Sequence, residues 1–370
     1  MKLLVLSAKT GGGHEMRAQA IQDFCEELNI HFKLYRPLEE GSPVYLLGTG
    51  LYNLIQKKCP RFHYIYFNFL EYASIHRNPK LLLGSKKFIK VLNDFSPDVV
   101  FSVHAHLNHA YFDLFQSFYK GQRKSGKFIV FCGELDDGIG YSKHWINSRN
   151  HILMAPTVNS INAAVKRGMP FDKCRMVGPL MRKPFYEKSS SNQRTNFCAK
   201  YGIDINQPIG TLATGANGVN SHHCALKGLM AVKNKCQIVA LCGNSLDLIE
   251  SLNKMNQRAS FKIIPLPTLD SIEMSILLDL TDWVFGRPGA GLTSEVLTKR
   301  KIMYFDVSGG IMPQEQNNLN YFINSGVHPI MIRKGTELGS NLSKGPKFQK
   351  VSLEVGRNTI SQNLISLFAK

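Results

Sequence analysis

Residues Gly286–Asn318 read GRPGAGLTSEVLTKRKIMYFDVSGGIMPQEQNN. The apolar triplet Trp283-Val284-Phe285 before them is a short strand pattern, and the small-residue loop Pro288-Gly289-Ala290-Gly291 opens a helical pattern that runs through Glu295. A second apolar strand, Ile302 to Phe305, is followed by the polar cluster Gln314-Glu315-Gln316-Asn317-Asn318. Strand, glycine loop, helix and strand in that order describe an α/β unit with a parallel sheet. The loop presents bare backbone N–H groups at a helix start, where an anionic phosphate is stabilised. The polar cluster can exchange hydrogen bonds with hydroxyls. Phosphate on one side and hydroxyls on the other suggest a nucleotide-sugar site.

The same plan recurs outward from this stretch. Leu3 to Leu6 is a buried-strand pattern, followed by Gly11-Gly12-Gly13 and a helix with Ala18, Ile21, Phe24, Cys25 and Leu28 at its apolar positions. Further strand patterns lie at Val99–Val103, Phe128–Cys132 and His151–Ala155. A serine-rich, charged stretch, Glu187 to Arg194, reads as an interdomain linker. Beyond it come Ile209–Ala213, the glycine-bearing loop Thr214-Gly215-Ala216-Asn217-Gly218, and strand patterns at Ile238–Cys242 and Phe261–Pro265. The expectation is two Rossmann-like α/β domains, 1–186 and 187–350. A closing helix within 351–370 is expected to pack back on the first.

Composition narrows the partners. The chain has 370 residues, 44% of them hydrophobic, and a formal net charge of +18. That excess favours an anionic partner: nucleic acid, an acidic membrane surface or a phosphorylated substrate. The eight cysteines form no C-x-x-C pair and read as buried thiols of a reducing compartment. No stretch reaches the ~18 apolar residues of a bilayer span, and the first residues read as a strand rather than a signal peptide. Leu46 to Ile75 mixes Tyr52, Phe62, Tyr64, Tyr66, Phe67, Phe69 and Tyr72 with Lys57, Lys58 and Arg61. Aromatic and basic residues side by side suit a lipid headgroup interface, and equally a pair of amphipathic helices packed on the domain.

Three loops placed after strands carry candidate chemistry. Gly12, Gly13 and His14 open the first helix. Ser102 to His109 reads SVHAHLNH, with three histidines in six residues. Their spacing fits no zinc motif, and the carboxyl end of a strand is where open α/β sheets bind ligands, so substrate contact by His104 and His109 is favoured over a metal. Cys132 to Gly138 reads CGELDDG with His144-Trp145 downstream, which makes Glu134 a candidate for proton transfer. The chain contains no D-x-D triplet. A metal-chelating diphosphate site is not indicated.

Taken in order, these stations resemble the nucleotide-sugar glycosyltransferases that include the monogalactosyldiacylglycerol synthases, the bacterial processive diacylglycerol glucosyltransferases and the peptidoglycan lipid-intermediate N-acetylglucosaminyltransferases. The resemblance runs from Leu3 to about Gly326. The lipid enzymes' T-G-G-G-H is matched by Thr10 to His14. Their S-V-H-P-x-x-x-H is similar to Ser102-Val103-His104 with His109, with Ala105 in place of proline, and their G-x-P-[IV]-R resembles Gly178 to Arg182, GPLMR. Their K-A-G-P-G-T-x-A-E aligns with Arg287 to Glu295, and the peptidoglycan enzymes' R-S-G-A-x-x-x-S-E fits Arg287, Gly289, Ala290, Ser294 and Glu295. The galactolipid enzymes' Q-E-A-G-N matches Gln314, Glu315 and Asn318 in register. Three places depart from the pattern: Gly133-Glu134 stands where the lipid enzymes have T-D, Leu292 where they have Thr, and TGANG where they have G-G-G-E-G.

The resemblance implies a GT-B fold, two facing Rossmann-like halves, with the nucleotide sugar in the carboxyl half and the acceptor in the amino half. It implies an enzyme transferring a hexose from a UDP-sugar to a hydroxyl of a diacylglycerol-like lipid, with no cofactor and no metal, at the cytoplasmic face of a membrane whose anionic surface is a partner. The donor would be held by Gly215, Asn217, Gly218, Arg287, Gly289, Ala290, Gly291, Glu295, Gln314, Glu315 and Asn318. The acceptor would meet Gly12, Gly13, His104, His109 and Trp145. His14 or Glu134 would take the proton, with His14 slightly ahead. A soluble or polyprenyl-linked acceptor and a UDP-sugar epimerase are the nearest alternatives. A basic nucleic-acid-binding protein lacks any recognition motif for DNA or RNA, and a nicotinamide-dependent oxidoreductase lacks the G-x-G-x-x-G.

Overall fold

The computed structural model describes residues 1–10, 12–58, 63–73, 77–122, 125–213, 221–232 and 236–345, with 360, 362, 363 and 366 beyond them. Of the side chains inside its helices, those of 52, 53, 55–58, 63, 66 and 73 are not described. The expected contacts of Gly215, Asn217 and Gly218, the lysines Lys57 and Lys58, Arg61 and most of the closing helix therefore lie outside the described residues. The chain forms two compact units. One holds Met1–Arg182, Met312–Tyr321 and Glu354–Lys370, and the other Lys183–Ile311 and Phe322–Leu353.

The first unit runs β1 (Lys2–Leu6), α1 (Gly12–Glu27), β2 (His31–Tyr35), the single turn α2 (Pro37–Glu40), α3 (Pro43–Lys58), α4 (His63–Ala73), α5 (Ser85–Phe95), β3 (Val99–Ser102), α6 (Ala110–Tyr119), β4 (Lys127–Phe131), β5 (Ile152–Ala155), α7 (Val158–Lys166) and β6 (Cys174–Met176). Among the described residues its six strands are all parallel, in the order β2-β1-β3-β4-β5-β6. Leu3, Leu4, Val5 and Leu6 have no exposed surface. Such unbroken apolar runs suit strands covered on both faces by crossover helices.

The second unit runs α8 (Ser191–Tyr201), β7 (Ile209–Ala213), α9 (His222–Met230), β8 (Gln237–Leu241), α10 (Leu246–Asn256), β9 (Ile263–Leu266), α11 (Ser271–Leu280), β10 (Trp283–Gly286), α12 (Ala290–Thr298), β11 (Ile302–Asp306), α13 (Pro313–Asn324, whose first turns belong with the first unit), β12 (Ile330–Ile332) and α14 (Leu338–Ser343). Its sheet is parallel, ordered β12-β11-β10-β7-β8-β9. The serine-rich stretch read as a linker enters α8 at Ser190, whose side chain accepts from Gln193 N–H in a capping box.

Each sheet has one point where strand order reverses, between β1 and β3 in the first unit and between β7 and β10 in the second. Ligands of open α/β sheets bind outside the carboxyl ends of the strands at such a point. Among the described residues, the segments that leave it are 7–10 and 103–109 in the first unit, and 287–289 in the second.

Candidate active site

The two loops at the first unit's reversal carry imidazoles whose tautomers follow from their partners. His14, in the first turn of α1, has Nδ1 2.7 Å from the Val103 carbonyl oxygen. A carbonyl only accepts, so Nδ1 bears the hydrogen and Nε2 keeps its lone pair. His104 Nδ1 accepts from His106 N–H at 3.3 Å, so its Nε2–H donates to Thr10 Oγ1 at 3.0 Å. The His14 and His104 rings lie 4.5 Å apart.

Glu134 follows β4 on the same edge. A side-chain carbon at Gly133 would sit 1.9 Å from Arg17 Cζ, and that bare backbone lets the Arg17 guanidinium lie across it and donate to Gly133 O at 3.0 Å. Burial pushes the Glu134 carboxyl above its ordinary range, while Arg17 and hydrogen bonds from the Asn317 and Trp145 side chains oppose that push. Asn317 Nδ2 donates to Glu134 Oε2 at 3.2 Å. Burial, then the positive Arg17, hold the His14 imidazole down to about 3, so it is neutral.

His14, Glu134, His104, Trp145 and Gln314 line one cavity of about 360 Å³ in the first unit. Its lining also includes the polar Thr10, His106 and Ser142 and the apolar or aromatic Leu38, Val44, Tyr45, Phe67, Phe69 and Leu70. The structure thus gathers both candidate bases, two expected acceptor residues and one expected donor residue around a single space. The buried Gln314 carbonyl oxygen has no hydrogen-bond partner among the described residues. Buried polar atoms are normally satisfied, so an oxygen left open at a cavity wall is available to a ligand.

Other expected residues lie elsewhere. His109 caps α6 away from this cavity, in a basic pocket with Arg77, Lys143, Arg149 and Arg167. Gly12 and Gly13 begin α1 without lining the cavity. Glu315 is buried, and its Oε2 accepts from Met312 N–H at 2.9 Å, the carboxylate half of a capping box at the start of α13. Asn318 is buried beside it. In the second unit Arg287 leaves β10 at the reversal point and donates to Gly310 O at 2.8 Å. Gly289 is the N-cap of α12 with extended backbone, Ala290 and Gly291 form that helix's first turn, and Glu295 is buried within it.

Two contributors were not singled out from sequence. Arg17 sits one helical turn beyond His14, a spacing that places both on one face of α1. Asn317 lies inside the QEQNN cluster, but at the place where the Q-E-A-G-N pattern has glycine, so the pattern gave it no role.

No family model matches the chain. Over 339 residues it is 22% identical to a processive diacylglycerol beta-glucosyltransferase of Bacillus pumilus, covering 90% of this chain and 83% of that protein. Over 341 residues it is 22% identical to a probable chloroplastic monogalactosyldiacylglycerol synthase of Glycine max; this covers 88% of this chain but 61% of the plant protein, less than two thirds of its length. Among solved structures, the UDP-GlcNAc 2-epimerase of Neisseria meningitidis bound to UDP-GlcNAc superposes with a TM-score of 0.60 at 12% identity over 100% of both chains. MurG of Acinetobacter baumannii does so at 0.56 and 11% identity, over 100% of this chain and 99% of that one. The fold is GT-B, built from two Rossmann-like domains, and the sequence is similar to the glycolipid glycosyltransferases over most of its length.

Proposed function

We propose that the chain is a glycosyltransferase that moves a hexose from a UDP-sugar to a hydroxyl of a diacylglycerol-like lipid at a membrane surface. The observation that carries this reading is the cavity itself. Two candidate bases and an open amide oxygen share its lining with aromatic and aliphatic side chains from α3 and α4. A lipid alcohol combines the same polar and apolar chemistry.

In this reading the acceptor oxygen attacks the anomeric carbon as the bond to the departing UDP breaks. The bonding pair leaves on the diphosphate, and the acceptor proton goes to the enzyme. A carboxylate raised by burial is the stronger base and an imidazole held near 3 the weaker, which supports Glu134 as proton acceptor and His14 as a neutral partner that orients the hydroxyl. Arg287 and the N–H groups that open α12 would meet the charge on the diphosphate without a divalent cation. The Gly215–Gly218 loop would join them. Glu295 would accept from the ribose, and Gln314, Glu315 and Asn318 would hold the sugar hydroxyls.

No described helix is long and apolar enough to cross a membrane. The exposed faces of α3 and α4 carry Leu47 at 76% exposure, Ile65 at 65% and Tyr72 at 88%. With a net charge of +18 they support docking onto an anionic bilayer from the cytoplasmic side. Donor recognition is tested by thermal unfolding with and without UDP-glucose and UDP-galactose. Ligand at 100 times its dissociation constant stabilises the folded state by about 2.7 kcal/mol and raises the melting temperature. An unfolding curve indifferent to every UDP-sugar would overturn the reading.

A further inference from the structure

Asn317 is set apart from the rest of the polar cluster by what its amide touches. It has no exposed surface. Its Oδ1 accepts from Gly140 N–H at 3.2 Å, and its Nδ2 donates to Glu134 Oε2 at 3.2 Å. One turn further along α13, Asn320 Nδ2 donates to the Asp137 carbonyl at 3.0 Å. The loop from Gly133 to Gly140 is pressed so closely against the start of this helix that a side-chain carbon at Gly140 would lie 2.2 Å from the Pro313 carbonyl. The Asn317 carboxamide therefore cannot rotate: one end is fixed by a backbone N–H, and that fixes which end faces the carboxylate.

We propose that Asn317 is a positioning residue for Glu134, holding its carboxylate in the orientation that accepts the acceptor's proton. This rests on the proposed transfer reaction and assigns a role that the family pattern does not contain. That pattern has an aspartate where Glu134 stands and a glycine where Asn317 stands. Glutamate has one more rotatable bond than aspartate and more rotamers to exclude. A buried amide donor anchored at its far end supplies that constraint, and Trp145 supplies a second donor to the same carboxylate.

The rival explanation is that Asn317 only satisfies Gly140 N–H. Two variants separate them. Asn317→Asp is nearly isosteric and still offers Gly140 an oxygen, but it replaces the donor facing Glu134 with a second acid. Asn317→Ala removes both bonds. The readout is the pH titration of the Glu134 side-chain carboxyl by ¹³C NMR of glutamate-labelled protein, with the signal assigned by its loss in Glu134→Gln. The expected result is an upward move of the midpoint in both variants, larger in Asn317→Asp, because a lost donor and an added like charge each disfavour the ionised form. In turnover, kcat falls roughly ten- to a hundredfold with KM little changed, and the acid limb of the pH profile moves up with the midpoint. If Asn317→Ala fails to fold, the Asn317→Asp titration decides alone. A midpoint at or below the wild-type value in a folded variant overturns the proposal. The titration needs no turnover, so a wild-type protein that transfers no sugar would remove the proposed function and leave this test standing.

Discussion

Five imidazoles run through the first unit as a chain, His14, His104, His106, His144 and His109, with successive ring centroids 4.5, 5.5, 4.7 and 6.2 Å apart. Burial and then neighbouring cations hold His14 and His109 down to about 3, and burial with Arg77 holds His144 down to about 4. His144 Nδ1 accepts from Arg77 Nε at 3.4 Å, so its Nε2–H donates to Leu70 O at 3.3 Å. A proton added to His14, His144 or His109 meets a neighbouring arginine: Arg17 for the first and Arg77 for the other two. Their folded pKa values lie below the unfolded value near 6.5, so the unfolded chain takes up protons first as the pH falls. The stability from keeping these rings neutral is fully present above about pH 6.5 and is lost on acidification towards the folded values, at about 1.4 kcal/mol per pH unit for each ring. The melting temperature should be level from pH 7 to 8 and decline steadily from pH 6.5 to 5. A flat profile across that lower window would contradict the assignment of neutral, desolvated histidines.

At the level of elements, α4 is latched to the turn Lys143–Trp145. The Glu71 carboxylate accepts from Lys143 N–H at 3.0 Å and also from the Ser142 hydroxyl. That latch fixes one side of α4, which carries cavity-lining Leu70, and leaves Ile65 and Tyr72 exposed. Burying a large apolar side chain in a membrane interface is worth about 1.5–3 kcal/mol, roughly tenfold or more in partitioning. Leu47→Glu combined with Tyr72→Glu should therefore weaken binding to vesicles of phosphatidylglycerol and diacylglycerol by at least about tenfold and leave UDP-sugar binding intact. Equal vesicle binding by this variant and wild type would remove the membrane role of α3 and α4. Elements of this molecule differ in how openly the sequence declared them. The strands β1, β3, β4 and β7, buried throughout or all but their first residue, announce themselves as apolar runs. The edge strand β2, HFKLY, alternates polar residues and escaped notice, as did the three-residue strands β6 and β12. The QEQNN cluster read only as polar, yet Pro313 and the Glu315 cap start a helix there. A helix end set by one side-chain hydrogen bond leaves no hydrophobic period to detect.

For the whole molecule, two parallel sheets each offer one reversal of strand order, and several of the residues expected to do chemistry leave those reversals: His14 and His104 in the first unit, Arg287 and Gly289 in the second, while Glu134 leaves the neighbouring strand β4. Strand–loop–helix order made this plan legible in sequence, because a parallel sheet needs a crossover helix after each strand. Tertiary pairings were not legible. That Arg17 lies over Gly133, or that Asn317 reaches Glu134 across 183 positions of sequence, follows from the packing of loops with no pattern of their own. Transfer from a UDP-sugar to a lipid hydroxyl with Glu134 as base is the central proposal. The most direct measurement supplies radiolabelled UDP-glucose or UDP-galactose to the protein with diacylglycerol-containing vesicles, then separates the extracted lipids. The wild type should make a labelled glycosyl-lipid, and the folded Glu134→Gln variant should lose about 10²–10⁴-fold of that activity. Label that never enters the lipid fraction, or a Glu134→Gln variant as fast as wild type, would contradict the proposal.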